Sequence, residues 1–171
     1  QQAVSATARL FRELLSLVPE STAPPRTEVP IPADQEAEPA VPAPPFRSRL
    51  GEGEGVLGIF VPRMAEAPPE ALAVAAAWPR LQGYFSSLPP SVASAYFISR
   101  ENWLIVLPAR KAMDLHTGHD FTNDPLLMMG TPENNPARSM RFTRPRREES
   151  LGKWVISVIM PVYLEGGFQG V

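Results

Sequence analysis

Residues 95–107 read Ala95-Tyr96-Phe97-Ile98-Ser99-Arg100-Glu101-Asn102-Trp103-Leu104-Ile105-Val106-Leu107. Two apolar runs rich in aromatic and β-branched side chains flank a short polar break. Such runs suit the pleated, half-buried surface of a sheet, and a break of three polar residues closes a hairpin. The spacing predicts strands over Val92–Ser99 and Trp103–Leu107, joined by Arg100-Glu101-Asn102. Alternation puts Tyr96 and Ile98 on one face and Phe97 and Ser99 on the other, so only one of each pair can face a pocket.

Working outward, Val56 to Val61 predicts a shorter apolar strand after the turn at Gly51–Gly55. Pro68-Pro69-Glu70 is a helix start, since proline is tolerated in a first turn, and the alanine-rich run Ala71 to Trp78 continues it. A kink at Pro79 and a stop at Pro89-Pro90 follow. Beyond the hairpin, Ala109 to Met129 is polar and irregular with short helical turns, and Pro132 to Glu149 reads as an arginine-rich loop. Lys153 to Leu164 predicts a long strand, Glu165-Gly166-Gly167 a turn, and Phe168 onward another strand.

The amino-terminal part is different in kind. Val4, Ala8, Phe11, Leu15 and Val18 form a helical stripe, with Leu10, Leu14 and Leu17 beside it, ending at Pro19. A helix apolar over so much of its girth fits burial both on its own domain and on a partner subunit, a homodimer contact through residues 1–20, and it fits an ordinary core helix equally well. Thr22 to Pro45 is proline-rich and acidic, favouring extended backbone. The expected organisation is an amino-terminal helix over 1–20, a proline-rich excursion over 21–50 and one domain over 51–171. Strand pairs joined by short turns imply an antiparallel sheet with helices packed on it, an α+β domain.

The totals exclude several function classes. The chain has 171 residues, 44% of them hydrophobic, which is ample for a core. With no cysteine, disulfides, thiolate metal sites and cysteine nucleophiles are absent. A net charge of −2 offers no electrostatic footprint for nucleic acid. No run reaches the ~20 apolar residues that span a bilayer. The longest, Trp154 to Leu164, is interrupted by Pro161. No signal peptide is visible, and the ending on Phe168-Gln169-Gly170-Val171 reads as a strand cut short. The chain is thus expected to be a piece of a longer protein, with membrane contact only through segments outside it.

Catalytic chemistry finds no equipment. Ser157 lies in a predicted strand without a nucleophile elbow. Gly53, Gly55 and Gly58 match a G-x-G-x-x-G spacing, but a proline segment precedes them and a strand follows. A pyrophosphate cradle needs the reverse order, and no cofactor is expected. His116, His119 and Asp120 have metal-ligand character, yet Gly118 interrupts them and no further ligand is placed, so no metal is expected either. Arg138, Arg141, Arg144, Arg146 and Arg147 cluster beside Lys153. Guanidinium forks match carboxylates, which makes Arg141 and Arg144 candidates to clamp an anion, with Arg146 and Arg147 read as solvated. Tyr96, Trp103, Trp154 and Tyr163 sit on predicted strands, where aromatics are usually core; a buried tyrosine hydroxyl seeks a partner, which favours Tyr96 and Tyr163 as pocket residues, with Trp103 a further candidate.

Four stretches resemble one family. Ala95-Tyr96-Phe97-Ile98-Ser99 leads to Trp103 through Pro108. Glu133-Asn134-Asn135-Pro136-Ala137-Arg138 resembles an N-P-x-R element. Gly152-Lys153-Trp154-Val155-Ile156-Ser157 and Pro161-Val162-Tyr163 through Gly170-Val171 resemble a "W-(aliphatic)-(aliphatic)-S … P-V-Y … G-x-F-x-G-V" ending. Together, over residues 55–171, they resemble the Cache-type (PAS-like, PDC) extracytoplasmic sensor domains of bacterial histidine kinases and diguanylate cyclases. Where that family often carries Trp-Thr and Tyr-x-Asp-Pro-like elements, this chain has Phe142-Thr143-Arg144-Pro145-Arg146-Arg147.

The resemblance implies a long N-terminal helix carrying a five-stranded antiparallel PAS-like sheet with flanking helices. It implies a periplasmic domain of an inner-membrane protein, without enzymatic activity of its own. A small, anionic ligand would sit between sheet and crossover, with Tyr96, Trp103, Arg141, Arg144 and Tyr163 as binding residues. The alternative is the same fold acting as a protein-interaction or dimerisation module without a small-molecule ligand.

Overall fold

The structure, a computed structural model, describes residues 46–50, 57–62, 67–76, 89–113, 115, 118–148, 152–164 and 167–171. The expected helix over residues 1–20, most of the 21–50 segment, the Gly51–Gly55 turn, the Pro79 kink and His116 lie outside them.

The central sheet has four antiparallel strands in the order β1-β2-β4-β3. These are β1 (Phe46–Leu50), β2 (Leu57–Val61), β3 (Ala95–Ile98) and β4 (Leu104–Leu107). Residues 46–50, which composition groups with the proline-rich segment, thus form an edge strand. All five residues of β2 are buried, so this strand is covered on both faces. One face presents Phe60, Leu104, Val106 and Ile98, which form a core with Ala112, Phe121, Leu127, Ile159 and Val171. Leu57, Ile59, Val61, Phe97, Trp103 and Ile105 alternate with them and bury on the other face. Each large side chain so buried contributes about 1.5–3 kcal/mol by removal from water.

The β3–β4 hairpin closes as its composition predicts. The Ser99 N–H donates to the Trp103 carbonyl at 2.9 Å, and the Asn102 N–H to the Ser99 carbonyl at 3.2 Å. Asn102 stands at φ 63, a left-handed conformation that asparagine accepts more readily than other side chains. Its side-chain oxygen accepts the Phe121 N–H at 2.9 Å, tying the turn to the crossover.

Helix α1 (Pro69–Ala76) follows β2, with Glu70 in its first turn. The crossover after β4 contains α2 (Arg110–Met113), a 3-10 turn (Phe121–Asn123) and α3 (Pro125–Gly130). Helix α2 lies close against the sheet because Gly58 has no side chain. A Cβ there would stand 2.7 Å from that of Ala112 and 2.9 Å from the Ala109 backbone. Asp124 caps α3, accepting the Leu126 N–H at 2.8 Å, with Pro125 opening the helix.

The remaining strands are β5 (Arg141–Phe142), β6 (Arg146–Glu148), β7 (Lys153–Val155), β8 (Val158–Ile159), β9 (Val162–Leu164) and β10 (Gly167–Gly170). They pair as three antiparallel ladders, β5 with β8, β6 with β7 and β9 with β10.

This architecture corrects the expected five-stranded sheet with flanking helices. The main sheet has four strands, six more strands form separate two-stranded ladders, and the helices among the described residues are short. Two local causes account for the difference. The apolar run Lys153–Leu164 does not stay one strand. Ser157 turns its backbone to Thr143, accepting its N–H at 3.0 Å and donating to its hydroxyl at 2.9 Å, and Pro161 has no N–H to continue a ladder. The arginine-rich segment, expected to be loop, supplies β5 and β6 as partners for the broken pieces.

Candidate functional site

Tyr96 stands on β3 opposite Val106 of β4, on the same face as Ile98, packed against the core under the crossover. Burial holds its phenol above the ordinary range, while a hydrogen bond with the Ser157 side chain and the Arg146 guanidinium oppose the shift. The hydroxyl is therefore a neutral donor at physiological pH.

The polar groups around it come from the two elements that cover this face. From the crossover, the Lys111 ammonium meets the Glu148 carboxylate at 3.2 Å. The other oxygen of Glu148 lies 3.4 Å from the Arg146 guanidinium on the same strand. One carboxylate thus bridges a cation on α2 and a cation on β6. Asp124, also close enough to act on Tyr96, divides its oxygens between the α3 cap and the His119 imidazole, the latter at 3.4 Å. His119 in turn lies against Phe121, ring centres 4.4 Å apart. Tyr96 of β3, Lys111 of the crossover, Arg146 and Glu148 of β6 and Ser157 after β7 together make a seam between the crossover and the β6–β7 ladder. It carries hydroxyl and cationic donors, the complement of a carboxylate.

The five residues chosen from sequence fall in different places. Tyr96 is at the seam. Trp103 immediately precedes β4 and lies on the opposite face, buried beside Phe97 at 5.3 Å between ring centres. Its indole N–H has no hydrogen-bond partner among the described residues. Arg141 is exposed on β5, its Nε 3.4 Å from the Asn135 side-chain oxygen. Arg144 is exposed between β5 and β6. Tyr163 is half-buried on β9, with the Arg138 guanidinium 4.0 Å above its ring and Phe168 at 5.7 Å.

The N-P-x-R element is an organised turn. Asn135 is fully buried, its amide donating to the Ser139 carbonyl at 2.7 Å and its oxygen accepting the Ser139 N–H at 3.1 Å. The turn holds Arg138 at φ 50 and delivers its side chain to Tyr163.

Sequence reasoning missed Ser157 and Glu148 as groups acting on Tyr96, and Lys111 as the partner of Glu148. Lys111 and Glu148 are 37 residues apart, and no local pattern links them. Arg146 was visible within the arginine cluster, but nothing in its spacing separated it from Arg141 and Arg144. Among the described residues no group of three or more histidine, aspartate or glutamate side chains is placed to hold a metal. Nor is any helix there long and apolar enough to cross a membrane.

No protein-family model, curated protein or solved structure matches this chain. The residues themselves carry the functional reading.

Proposed function

We propose that the chain is the extracytoplasmic sensing domain of a bacterial membrane signalling protein, a histidine kinase or diguanylate cyclase, which binds a small anion at the Tyr96 seam. The observation that supports this reading most directly is the shared carboxylate of Glu148, held between Lys111 and Arg146 within electrostatic reach of Tyr96, whose phenol is hydrogen-bonded with the Ser157 side chain. A ligand carboxylate that takes the place of Glu148 meets the same two cations, and the Tyr96–Ser157 pair offers it a hydroxyl donor. The Cache-type resemblance of Tyr96–Pro108 and of the Gly152–Val171 ending supports the wider assignment.

The seam joins two elements that can separate. Replacing an internal bridge by a ligand changes how the β6–β7 ladder sits on α2, and that displacement is the signal. Such a switch requires different ligand affinity in the two arrangements, since equal affinity shifts no population.

Thermal-shift screening against a panel of organic acids and amino acids, followed by calorimetry, tests the reading. A stabilising ligand is expected whose effect is lost in Tyr96→Phe and Arg146→Gln and kept in Arg144→Gln. A broad panel without a hit, or a hit indifferent to Tyr96 and Arg146, overturns it.

A further inference from the structure

The ladders β5–β8 and β6–β7 are two halves of one ribbon. Arg141 and Phe142 pair with Ile159 and Val158, and Arg146, Arg147 and Glu148 with Val155, Trp154 and Lys153. The register advances by one residue around Pro145, which offers no N–H to a ladder. Alternation across these pairs sorts the side chains onto two faces. The inner face carries Glu148, Ser157 and the buried Ile159, which hold the ribbon to Lys111, Tyr96 and the core. The outer face carries Phe142, Trp154 and Ile156, exposed to 57%, 73% and 55%. Arg147 is paired directly with Trp154 and lies open to solvent, as does Arg144.

An outer face built from a tryptophan, a phenylalanine and an isoleucine is not what a solvated ribbon requires. Its charge says what covers it. Between Arg141 and Ile159 stand four arginines and one lysine against Glu148 and Glu149, in a chain whose net charge is −2. Glu148 is already engaged inward by Lys111 and Arg146. The partner is therefore anionic. A second copy docking through the same face would set arginines against arginines. A flat anionic surface that accepts tryptophan at its polar–apolar boundary satisfies both halves of the pattern.

We propose that the outer face of the 141–159 ribbon docks on an anionic lipid bilayer, with Trp154, Ile156 and Phe142 in the headgroup region and Arg144 and Arg147 on lipid phosphates. The inference does not rest on ligand binding at Tyr96, and its variants leave that seam intact.

Co-sedimentation of the full chain with vesicles of phosphatidylcholine alone, and of equal parts phosphatidylcholine and phosphatidylglycerol, tests it. Partition onto the anionic vesicles only is expected, weakened about fivefold per arginine by Arg144→Gln and Arg147→Gln. Trp154→Ala should weaken it further, and high salt should release the chain. Brominated lipid should quench fluorescence in the parent chain and not in Trp154→Phe. Equal partition onto both vesicle types, or no partition onto either, overturns the proposal. Binding to an acidic polypeptide such as polyglutamate without vesicle binding overturns it too, and assigns the face to an acidic protein.

Discussion

Ile98 and Val171 exchange both of their backbone hydrogen bonds, the Ile98 N–H reaching the Val171 carbonyl at 2.9 Å and the Val171 N–H the Ile98 carbonyl at 3.0 Å. The Arg100 N–H continues the pattern to the Gln169 carbonyl at 3.0 Å, with Ser99 and Gly170 facing each other between them. The end of β10 and Val171 are thereby laced along the end of β3, and Val171 enters the same core as Phe60 and Ile98.

That close approach depends on Gly170, which stands at φ 153 where a side chain is strained, and where a Cβ would strike the Ile98 carbonyl. Gly170→Ala is expected to cost about 3 kcal/mol, from backbone strain and loss of the Ile98–Val171 exchange. The urea midpoint should fall accordingly. Protection of the Ile98 and Val171 amides from hydrogen exchange should fall with it.

Asn102 does two separable things, adopting a left-handed backbone and accepting the Phe121 N–H. Asn102→Gly keeps the first and loses the second, costing about 1 kcal/mol. Asn102→Ala loses both, and about 2 kcal/mol is expected. Denaturation of the two variants should rank them in that order. Equal losses would show that the backbone conformation costs nothing here.

Tyr96 makes stability sensitive to alkali in a definite sense. Its folded-state pKa lies above the ordinary 10.0, because burial disfavours the phenolate. The folded chain holds this proton more tightly than the unfolded chain does. The resulting stabilisation is complete below about pH 10 and is lost as pH rises through the folded value. The stability advantage of the parent chain over Tyr96→Phe should therefore be constant near neutrality and shrink at strongly alkaline pH. Urea titrations of both proteins across that range measure it.

Two aromatic truncations separate core from surface. Phe60 is fully buried, with its ring 5.9 Å from that of Phe121 in an edge-on arrangement. Phe60→Ala should cost about 3–5 kcal/mol. Trp154, although larger, is mostly exposed, and Trp154→Ala should change stability by no more than about 0.5 kcal/mol. Thermal denaturation of the two variants distinguishes them directly.

Local sequence pattern was enough to specify the individual pieces. The β3–β4 hairpin was legible because both strands are apolar, aromatic and β-branched, and Asn102 suits the turn. The start of α1 was legible in Pro69-Glu70, and the final hairpin in the glycines after Leu164. Tyr96 was identifiable as a polar group on a strand that had to be buried, and alternation already set it on the face opposite Phe97.

Tertiary structure alone decided how the pieces assemble. The split of Lys153–Leu164 into three strands follows from the bonds Ser157 makes with Thr143, 14 residues away. The pairing of an arginine-rich segment with that run arises because a ladder satisfies backbone groups whatever the side chains are. The surroundings of Tyr96 depend on Lys111 and Glu148, whose ion pair joins elements remote in the chain. Local periodicity reports which way a side chain points. Only the folded chain settles which distant group it meets.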